Sequence, residues 1–439
     1  MNKKYKIVYN TKKYVFQEFL YCKCKNLTNL SIVCIIYLEV IKMLIQRSEY
    51  LEQLKRFKDK ELIKVVTGIR RCGKSTLFDI YETYLINNGV QKEQIIRINL
   101  ENLEFYFIKD YMDLYNYIKN KLIKNKMNYV FIDEVQNIKE FQKAVDSLYI
   151  KKNVDMYITG SNAYLLSSEL STLLAGRYVE IKMLPLSFKE YIDAKQENNL
   201  QSAYQDYIST GSFPYVLNLE NEDDISKYLN EIFNSMIMKD IMIRKKIQDE
   251  SMLKSIAYFS LDNIGNLVSI NSIANTMTSN GRPINTRTVE NYINAFTESY
   301  MLYKASRYDI KGKQYLKTGD KYYLSDLGLR YFVLGRKYGD TGRILENIVY
   351  LELLRRGYEV YIGKVDEYEV DFIAINSKGK HYFQVSETLV GNETLERELR
   401  PLKKINDNYP KTILTMDIIP DSDEEGIEIK NVLDWLIKK

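Results

Sequence analysis

The sequence has few side chains that bind soft metals. Its 439 residues include four cysteines and a single histidine, His381. Cys22, Cys24 and Cys34 lie near the N-terminus and Cys72 stands alone, so no zinc-binding spacing is present. So few cysteines, without a framework for pairing, suit a reducing compartment. We therefore expect neither zinc chemistry nor a secreted fold held by disulfides.

Long hydrophobic runs are also missing. The most apolar N-terminal stretch, residues 30–45, is interrupted by Glu39 and Lys42. It falls short of the ~20 apolar residues of a membrane helix, and it has no clear export cleavage site.

The 63 basic and 58 acidic residues give a net charge of +5, too small by itself to indicate nucleic-acid binding. We expect a cytoplasmic protein without membrane contact, and the length predicts about two to four domains.

The sequence does contain a complete phosphate loop, the Walker A pattern G-x-x-x-x-G-K-[ST], between an apolar run at 62–66 and a predicted helix at 76–86. Its glycines let backbone N–H groups close around a phosphate, and the helix N-terminus adds partial positive charge. Lys74 is predicted to reach the outer phosphates of ATP, and the Ser75 hydroxyl to ligate Mg²⁺. The residues predicted to bind the nucleotide are Gly68, Ile69, Arg70, Arg71, Cys72, Gly73, Lys74, Ser75 and Thr76.

Two acids follow a second apolar run. Residues 129–132 are typical of a buried parallel strand, and Asp133 and Glu134 come directly after it. Ligands bind at the carboxyl ends of the strands in open α/β sheets. We predict that Asp133 holds Mg²⁺ and that Glu134 is catalytic, polarising the water that attacks the γ-phosphate. Without the phosphate loop upstream, the same pair would indicate only a solvated strand end.

Other polar residues are candidates for the same site. Ser161 and Asn162 follow a predicted strand, and they either contact the attacking water or the γ-phosphate, or cap the next helix. Arg177 is either a stabiliser of phosphate charge, acting in cis or from a neighbouring subunit, or a surface arginine before a strand. Arg70 and Arg71 either touch phosphate, DNA or a partner, or are solvated.

Strands and helices alternate through this region, which predicts a parallel sheet with helices on both faces. The predicted strands are 62–66, 94–99, 129–132, 154–159 and 178–183. The predicted helices are 76–86, 111–125, 140–150 and 163–174.

A second module is predicted over residues 251–325. Three helices are predicted at 253–261, 269–277 and 285–296. Two strands are predicted at 300–305 and 321–324, joined by residues 311–313 as a β-hairpin. Three helices and a β-hairpin are typical of a winged helix. In a DNA-binding interpretation Arg287, Thr288, Asn291 and Asn294 face a groove. This helix also carries Glu290 and little positive charge, whereas DNA contact usually needs several cations. A structural or protein-contacting role is the alternative.

A third α/β unit is predicted over residues 341–439. Its predicted elements are a helix at 343–356, strands at 358–362, 368–375 and 381–385, a helix at 393–405 and a strand at 412–415. Glu346, Asp371 and Gln384 are expected to converge at one site. The arrangement resembles the restriction-endonuclease core, in which acidic residues hold Mg²⁺. Ser386 stands where that core has a lysine, so nuclease activity is not expected and packing or recognition is favoured.

These motifs together resemble one family, the predicted AAA-type P-loop ATPases of bacteria and archaea with a C-terminal domain of unknown function. The resemblance covers residue 46 to the end and is carried by residues 68–76, 131–136, 159–162, 174–177, 185–191 and 369–372. It implies an AAA-type ATPase domain, a winged helix and a nuclease-like tail.

The predicted fold class is therefore α/β: a P-loop parallel sheet of AAA type, a winged-helix module and a small α/β nuclease-like domain. The predicted segments are a leader (1–42), the ATPase domain (43–200), a helical and winged-helix region (201–335) and the tail (336–439). We hypothesise that translation starts at Met43. The predicted function is Mg²⁺-dependent binding and hydrolysis of ATP. The alternatives are a DNA-binding ATPase, or a nucleotide-gated switch with little turnover that acts on a protein partner or within a homo-oligomer.

Overall fold

The computed structural model describes residues 45–163, 174–312, 314–315, 319–335 and 340–438. The predicted leader, residues 1–42, and most of the helix predicted at 163–174 lie outside these residues.

A five-stranded parallel sheet is the framework of the first region, as predicted. Its strands are β1 (Ile63–Thr67), β2 (Ile95–Asn99), β3 (Asn128–Asp133), β4 (Val154–Gly160) and β5 (Tyr178–Lys182). Their order across the sheet is β2-β3-β4-β1-β5. Every residue of β1 and β3 is buried, which explains why most of their side chains are apolar and do not alternate regularly with polar ones. The order brings the carboxyl ends of β1, β3 and β4 together.

Helices cover both faces of this sheet. Consecutive side chains of a strand point to opposite faces, so Val65 and Val66 belong to different hydrophobic cores. One core packs against α1 (Ser48–Arg56) and α2 (Lys74–Asn87), and the other against α3 (Tyr111–Lys121) and α4 (Phe141–Tyr149).

Helix α3 is shorter than the predicted 111–125. The chain becomes extended at Leu122, and the Asn128 amide then hydrogen-bonds to the backbone N–H and C=O of Ile123. These bonds satisfy backbone groups that a longer helix would have paired internally.

The middle region is mainly helical and contains a small antiparallel sheet. Its helices are α5 (Phe188–Lys195), α6 (Leu200–Thr210), α7 (Glu222–Ser235), α8 (Glu250–Asp262), α9 (Ile270–Ser279), α10 (Thr286–Glu298) and α11 (Leu327–Leu334). A π-helical segment, Met236–Ile243, continues α7. The strands of this stretch are β6 (Leu267–Val268), β7 (Leu302–Ala305), β8 (Arg307–Asp309), β9 (Gln314–Tyr315) and β10 (Asp320–Leu324). The small sheet has the order β6-β10-β7. Its classification as a winged helix remains a prediction.

The connection between β7 and β10 differs from the simple turn expected at 311–313. Strand β8 lies outside the small sheet. It pairs in parallel with β11 (Glu359–Val365) of the tail, and β9 pairs antiparallel with β8. Tyr308 and Ile310 pack against the tail's own core, which gives this detour a hydrophobic reason.

The tail is a mixed sheet with helices. Its remaining elements are α12 (Thr341–Arg355), β12 (Tyr368–Asn376), β13 (Gly379–Ser386), α13 (Asn392–Lys403), β14 (Lys411–Thr415), β15 (Ser422–Glu424), β16 (Ile427–Asn431) and α14 (Val432–Ile437). Within the described residues the sheet has eight strands, six from the tail and β8 and β9 from the middle region, in the order β15-β16-β14-β13-β12-β11-β8-β9.

Candidate functional site

The phosphate loop connects the carboxyl end of β1 to the first turn of α2. Gly68 and Gly73 have φ values of 148° and 104°, which only glycine adopts readily. A Cβ on Gly68 would also overlap the carbonyl oxygen of Met183, which follows β5. Helix α2 begins at Lys74, directly after the second glycine, so its free N–H groups face the concave side of the loop.

The Lys74 ammonium lies inside this loop. The side chain is 4% exposed, and Nζ donates to the carbonyls of Gly68 at 2.9 Å and Ile69 at 3.2 Å. Its nearest carboxylate is Glu134, with Nζ 3.9 Å from Oε1. The structure therefore brings together the predicted phosphate-binding lysine and the predicted catalytic acid.

Asp133 ends β3 directly before Glu134, and its side chain is 1% exposed. Oδ1 accepts a hydrogen bond from Thr159 Oγ1 at 3.0 Å, and Oδ2 lies 2.7 Å from Arg97 Nη2. The arginine contact is an ion pair without a well-directed hydrogen bond to Oδ2. Burial raises the pKa of Asp133, and the Arg97 guanidinium opposes that rise.

The backbone at Glu134 turns into the left-handed region, with φ at 53°. Its N–H donates to Thr159 Oγ1 at 3.0 Å, so one hydroxyl connects both acids to the end of β4. The Gln136 amide donates to the Glu134 carboxylate and, at 3.4 Å, to Ser161 Oγ. Glu134 is thus oriented from two sides.

Ser161 and Asn162 lie directly after β4, and each is 1% exposed. The parallel order β3-β4-β1 places them between the acids and the phosphate loop. In contrast, Ser75 and Thr76, which open α2, are solvent-exposed. The predicted ligands for phosphate and for Mg²⁺ therefore occupy one edge of the sheet, and their individual roles remain predictions.

The loop residues between the two glycines have different surroundings. Ile69 and Cys72 are fully buried, and the Cys72 thiol donates to the carbonyl of Met183 at 3.5 Å. Burial raises the pKa of this thiol, which disfavours a reactive thiolate. Arg71 is exposed, whereas Arg70 is held by carboxylates outside the loop.

Arg177 does not face this site in its own chain, so its predicted role in cis is wrong. Its carbonyl accepts a hydrogen bond from the N–H of Ile63, the first residue of β1, so it lies at the amino edge of the sheet. The phosphate loop leaves the other end of β1, a strand of five residues and hence about 16 Å long. The guanidinium pairs with Asp146 on α4. Action from a neighbouring subunit remains a prediction.

Sequence reasoning missed Arg97. It lies on β2, and its guanidinium contacts Asp133, Asp79 and the carbonyl of Ser75. A charged residue between isoleucines in an otherwise apolar strand was the available signal, but its partner depends on which strand lies beside β2.

The tail brings together the three residues predicted to converge there. The N–H of Asp371 donates to Gln384 Oε1 at 3.3 Å, and Asp371 Oδ2 accepts from the N–H of Val385 at 2.8 Å. Burial and the nearby Glu346 hold the pKa of Asp371 well above its usual range. Lys321 of β10 lies 2.9 Å from Glu346 and 2.8 Å from Glu369, so this cluster contains a lysine from outside the tail.

Two structural features are absent from the described residues. Within that part of the chain, no helix combines the length and apolar character needed to cross a membrane. Over the same residues, no cluster of three or more His, Cys, Asp or Glu side chains is arranged to hold a metal ion.

Comparison with known proteins identifies similar domains and relatives. An AAA domain matches residues 60–192, and a domain of unknown function matches residues 201–339. The chain is 42% identical over 402 residues to an uncharacterized protein of Haemophilus influenzae, covering 90% of this chain and 100% of the relative. It is 31% identical over 379 residues to the uncharacterized protein MJ1544 of Methanocaldococcus jannaschii, covering 82% of each.

A solved structure, the Walker-type ATPase PABY2304 of Pyrococcus abyssi, is similar with a TM-score of 0.44 and 13% identity. The similarity covers 66% of this chain and 95% of that protein.

Proposed function

The chain belongs to the family of AAA-domain proteins that includes these two relatives, and from this premise we propose that it binds ATP with Mg²⁺ and hydrolyses it. One observation carries the proposal: the buried Lys74 ammonium lies 3.9 Å from Glu134, inside a loop framed by two glycines. A cation in a cradle of backbone N–H groups favours a phosphate, and an acid beside it favours a hydrolytic reaction.

Lys74 and the loop amides are proposed to bind the phosphates. Contacts to two carbonyls leave the ammonium close to the loop's concave side, where a phosphate oxygen would be a stronger, charged acceptor. Gly68 leaves room for the chain to pass under the Met183 carbonyl, so the loop keeps its tight curvature.

Ser75 and Asp133 are the proposed ligands for Mg²⁺. Asp133 fits this role because its Oδ2 is buried beside Arg97 without a well-directed hydrogen bond, so it retains capacity to accept a ligand. Mg²⁺ prefers oxygen ligands and, when bound, neutralises charge on the phosphates. Arg97 then has a further role: it keeps the buried Asp133 charged and holds it against α2.

Glu134 is the proposed general base. Thr159 fixes its backbone and Gln136 fixes its carboxylate, so the group is oriented before any substrate arrives. Ser161 and Asn162, at the end of the neighbouring strand, are proposed to help place the water or the γ-phosphate.

The test is ATP binding and turnover by two variants. Lys74→Ala should abolish saturable ATP binding in calorimetry, because it removes the only lysine of the loop. Glu134→Gln keeps the shape and loses the base, so it should bind ATP and lower turnover by about 10²-fold or more. The matched controls are Lys92→Ala, at an exposed position, and Glu140→Gln, whose side chain is 43% exposed. Normal turnover by Glu134→Gln would refute the assignment of the base.

A DNA-linked ATPase is the second candidate. Arg287, Asn291 and Asn294 are all exposed on α10, as a groove-reading helix requires. The exposed Glu290 among them opposes phosphate contact. Salt-dependent binding to duplex DNA and stimulation of turnover by DNA would support this candidate, whereas turnover without either would favour action on a protein partner.

A further inference from the structure

Arg70 of the phosphate loop is paired with groups outside the loop. Its Nε and Nη2 donate to the two carboxylate oxygens of Asp240, at 3.1 and 3.2 Å. Its Nη1 donates to Glu101, in the segment after β2, at 3.1 Å. A bidentate pair of this kind fixes the guanidinium in direction as well as in position. The side chain of Arg70, the third residue of the loop, therefore connects the phosphate loop to the middle region.

Asp240 lies in the π-helical segment that continues α7, and it is 8% exposed. Burial raises its pKa and Arg70 opposes the rise. Its hydrogen-bond partner Arg70 belongs to the phosphate loop, so Asp240 borders the proposed nucleotide site. Segments of this type are often found at functional sites, because the wider turn redirects a side chain.

The segment that carries Asp240 is firmly packed. Met236, Ile237 and Ile241 are fully buried in the large hydrophobic core. A second contact comes from the same region, because Pro214 packs near Gly73: a Cβ built there would lie 3.8 Å from the proline ring. The loop is thus held against the middle region at two of its residues, and Asp240 supplies the polar contact.

We propose that Asp240 is a positioning residue for the phosphate loop: by holding Arg70, it keeps the loop in its nucleotide-binding form and links that form to the middle region. The inference rests on the proposed ATP binding. If the loop adopts its binding-competent form for only part of the time, the apparent affinity for the nucleotide falls to that fraction of its intrinsic value. The pair reduces that loss because the loop is already fixed by a bidentate contact.

The sign of the effect distinguishes positioning from simple electrostatics. Asp240 brings a negative charge near the place proposed for the phosphates, so charge alone predicts that Asp240→Asn tightens ATP binding. Positioning predicts the opposite. We expect Asp240→Asn to raise the Kd for ATP with Mg²⁺ by about tenfold, which corresponds to about 1.4 kcal/mol. Asp240→Glu, which keeps a charged acceptor, should recover most of the affinity.

The coupling is tested with Arg70→Lys, which keeps the charge and loses the bidentate geometry. It should also raise the Kd about tenfold, and the double variant Arg70→Lys/Asp240→Asn should be no weaker than either single variant. Asp223→Asn, an exposed carboxylate on α7, is the matched control and should leave the Kd unchanged. Calorimetry gives the Kd, and thermal unfolding without nucleotide records any loss of stability.

Unchanged or tighter binding by Asp240→Asn would overturn the inference, as would effects that multiply in the double variant. A lower unfolding temperature with an unchanged Kd would also overturn it, because the pair would then serve stability alone. Wild-type protein that gives no heat with ATP and Mg²⁺ would refute the proposed function, and this inference with it. Wild-type binding with unaffected variants refutes the inference alone.

Discussion

Replacing Asp155 with alanine should destabilise the parallel sheet, because the change leaves the Lys64 ammonium buried without its carboxylate. Lys64 lies on β1 and is fully buried, and its Nζ donates to Asp155 and to the carbonyl of Lys60 at 3.1 Å. Burial raises the pKa of Asp155 and lowers the pKa of Lys64, so both charges bear a desolvation cost that their pairing offsets.

The magnitude follows from the groups that lose their partner. Asp155 also accepts hydrogen bonds from Tyr157 Oη at 2.7 Å and from the N–H of Asp59 at 2.9 Å. Removing one member of a buried ion pair typically costs about 3–5 kcal/mol, because the other charge stays in a low-dielectric interior. We expect Asp155→Ala to lower the free energy of unfolding by this amount.

Urea titration followed by circular dichroism provides the assay, with an exposed pair as control. Lys189 and Asp193 form an i,i+4 pair on α5, with side chains 40% and 60% exposed, so Asp193→Ala should cost about 0.5 kcal/mol or less. The double variant Lys64→Met/Asp155→Leu removes both charges and should recover most of the stability. If Asp155→Ala lowers the free energy of unfolding no more than Asp193→Ala does, the buried ion pair does not stabilise the sheet in the way we expect.

The remaining predictions concern the loop and the single histidine. Gly68→Ala should abolish ATP binding and destabilise the protein by about 2 kcal/mol or more, since its Cβ meets the Met183 carbonyl at a φ of 148°. Gly342→Ala, in open space on α12, should leave ATP binding unchanged and should not destabilise the protein. Burial lowers the pKa of His381 from 6.5 to about 4, so its proton NMR signal should titrate near pH 4. The unfolded chain binds this proton more readily than the folded protein does. The contribution of neutral His381 to the free energy of unfolding is therefore fully present above pH 6.5 and is lost as the pH falls to about 4. The loss is about 3 kcal/mol at most. An NMR midpoint near 6.5, or Gly68→Ala with normal ATP affinity, would contradict these expectations.

Local patterns were sufficient to predict the main elements of the first region. Buried parallel strands appear as apolar runs, and the phosphate loop requires glycine at positions of positive φ, so both can be read from short stretches of chain. Element ends were harder to place: α3 stops early because Asn128, which lies beyond the predicted helix, binds the backbone at Ile123.

Long-range partners account for what could not be predicted. The pairing of β5 with β1 places Arg177 at the amino edge of the sheet, and no local pattern reveals this register. Arg97 contacts Asp133 only because β2 lies beside β3. Strand β8 belongs to the tail sheet because it pairs with β11, which lies about 50 residues further along the chain. Lys321 likewise reaches the acids of the tail from a strand of the middle region.

By itself, the sequence determined the phosphate loop, the acid-ended strand and the alternation that makes a parallel sheet, because each depends on backbone preferences and side-chain periodicity within a few residues. Only the tertiary structure decided which charges meet: Arg70 with Asp240, Arg97 with Asp133 and Lys64 with Asp155. These partners are 170, 36 and 91 residues apart in the sequence, so their contacts depend on strand order and helix packing rather than on local preferences.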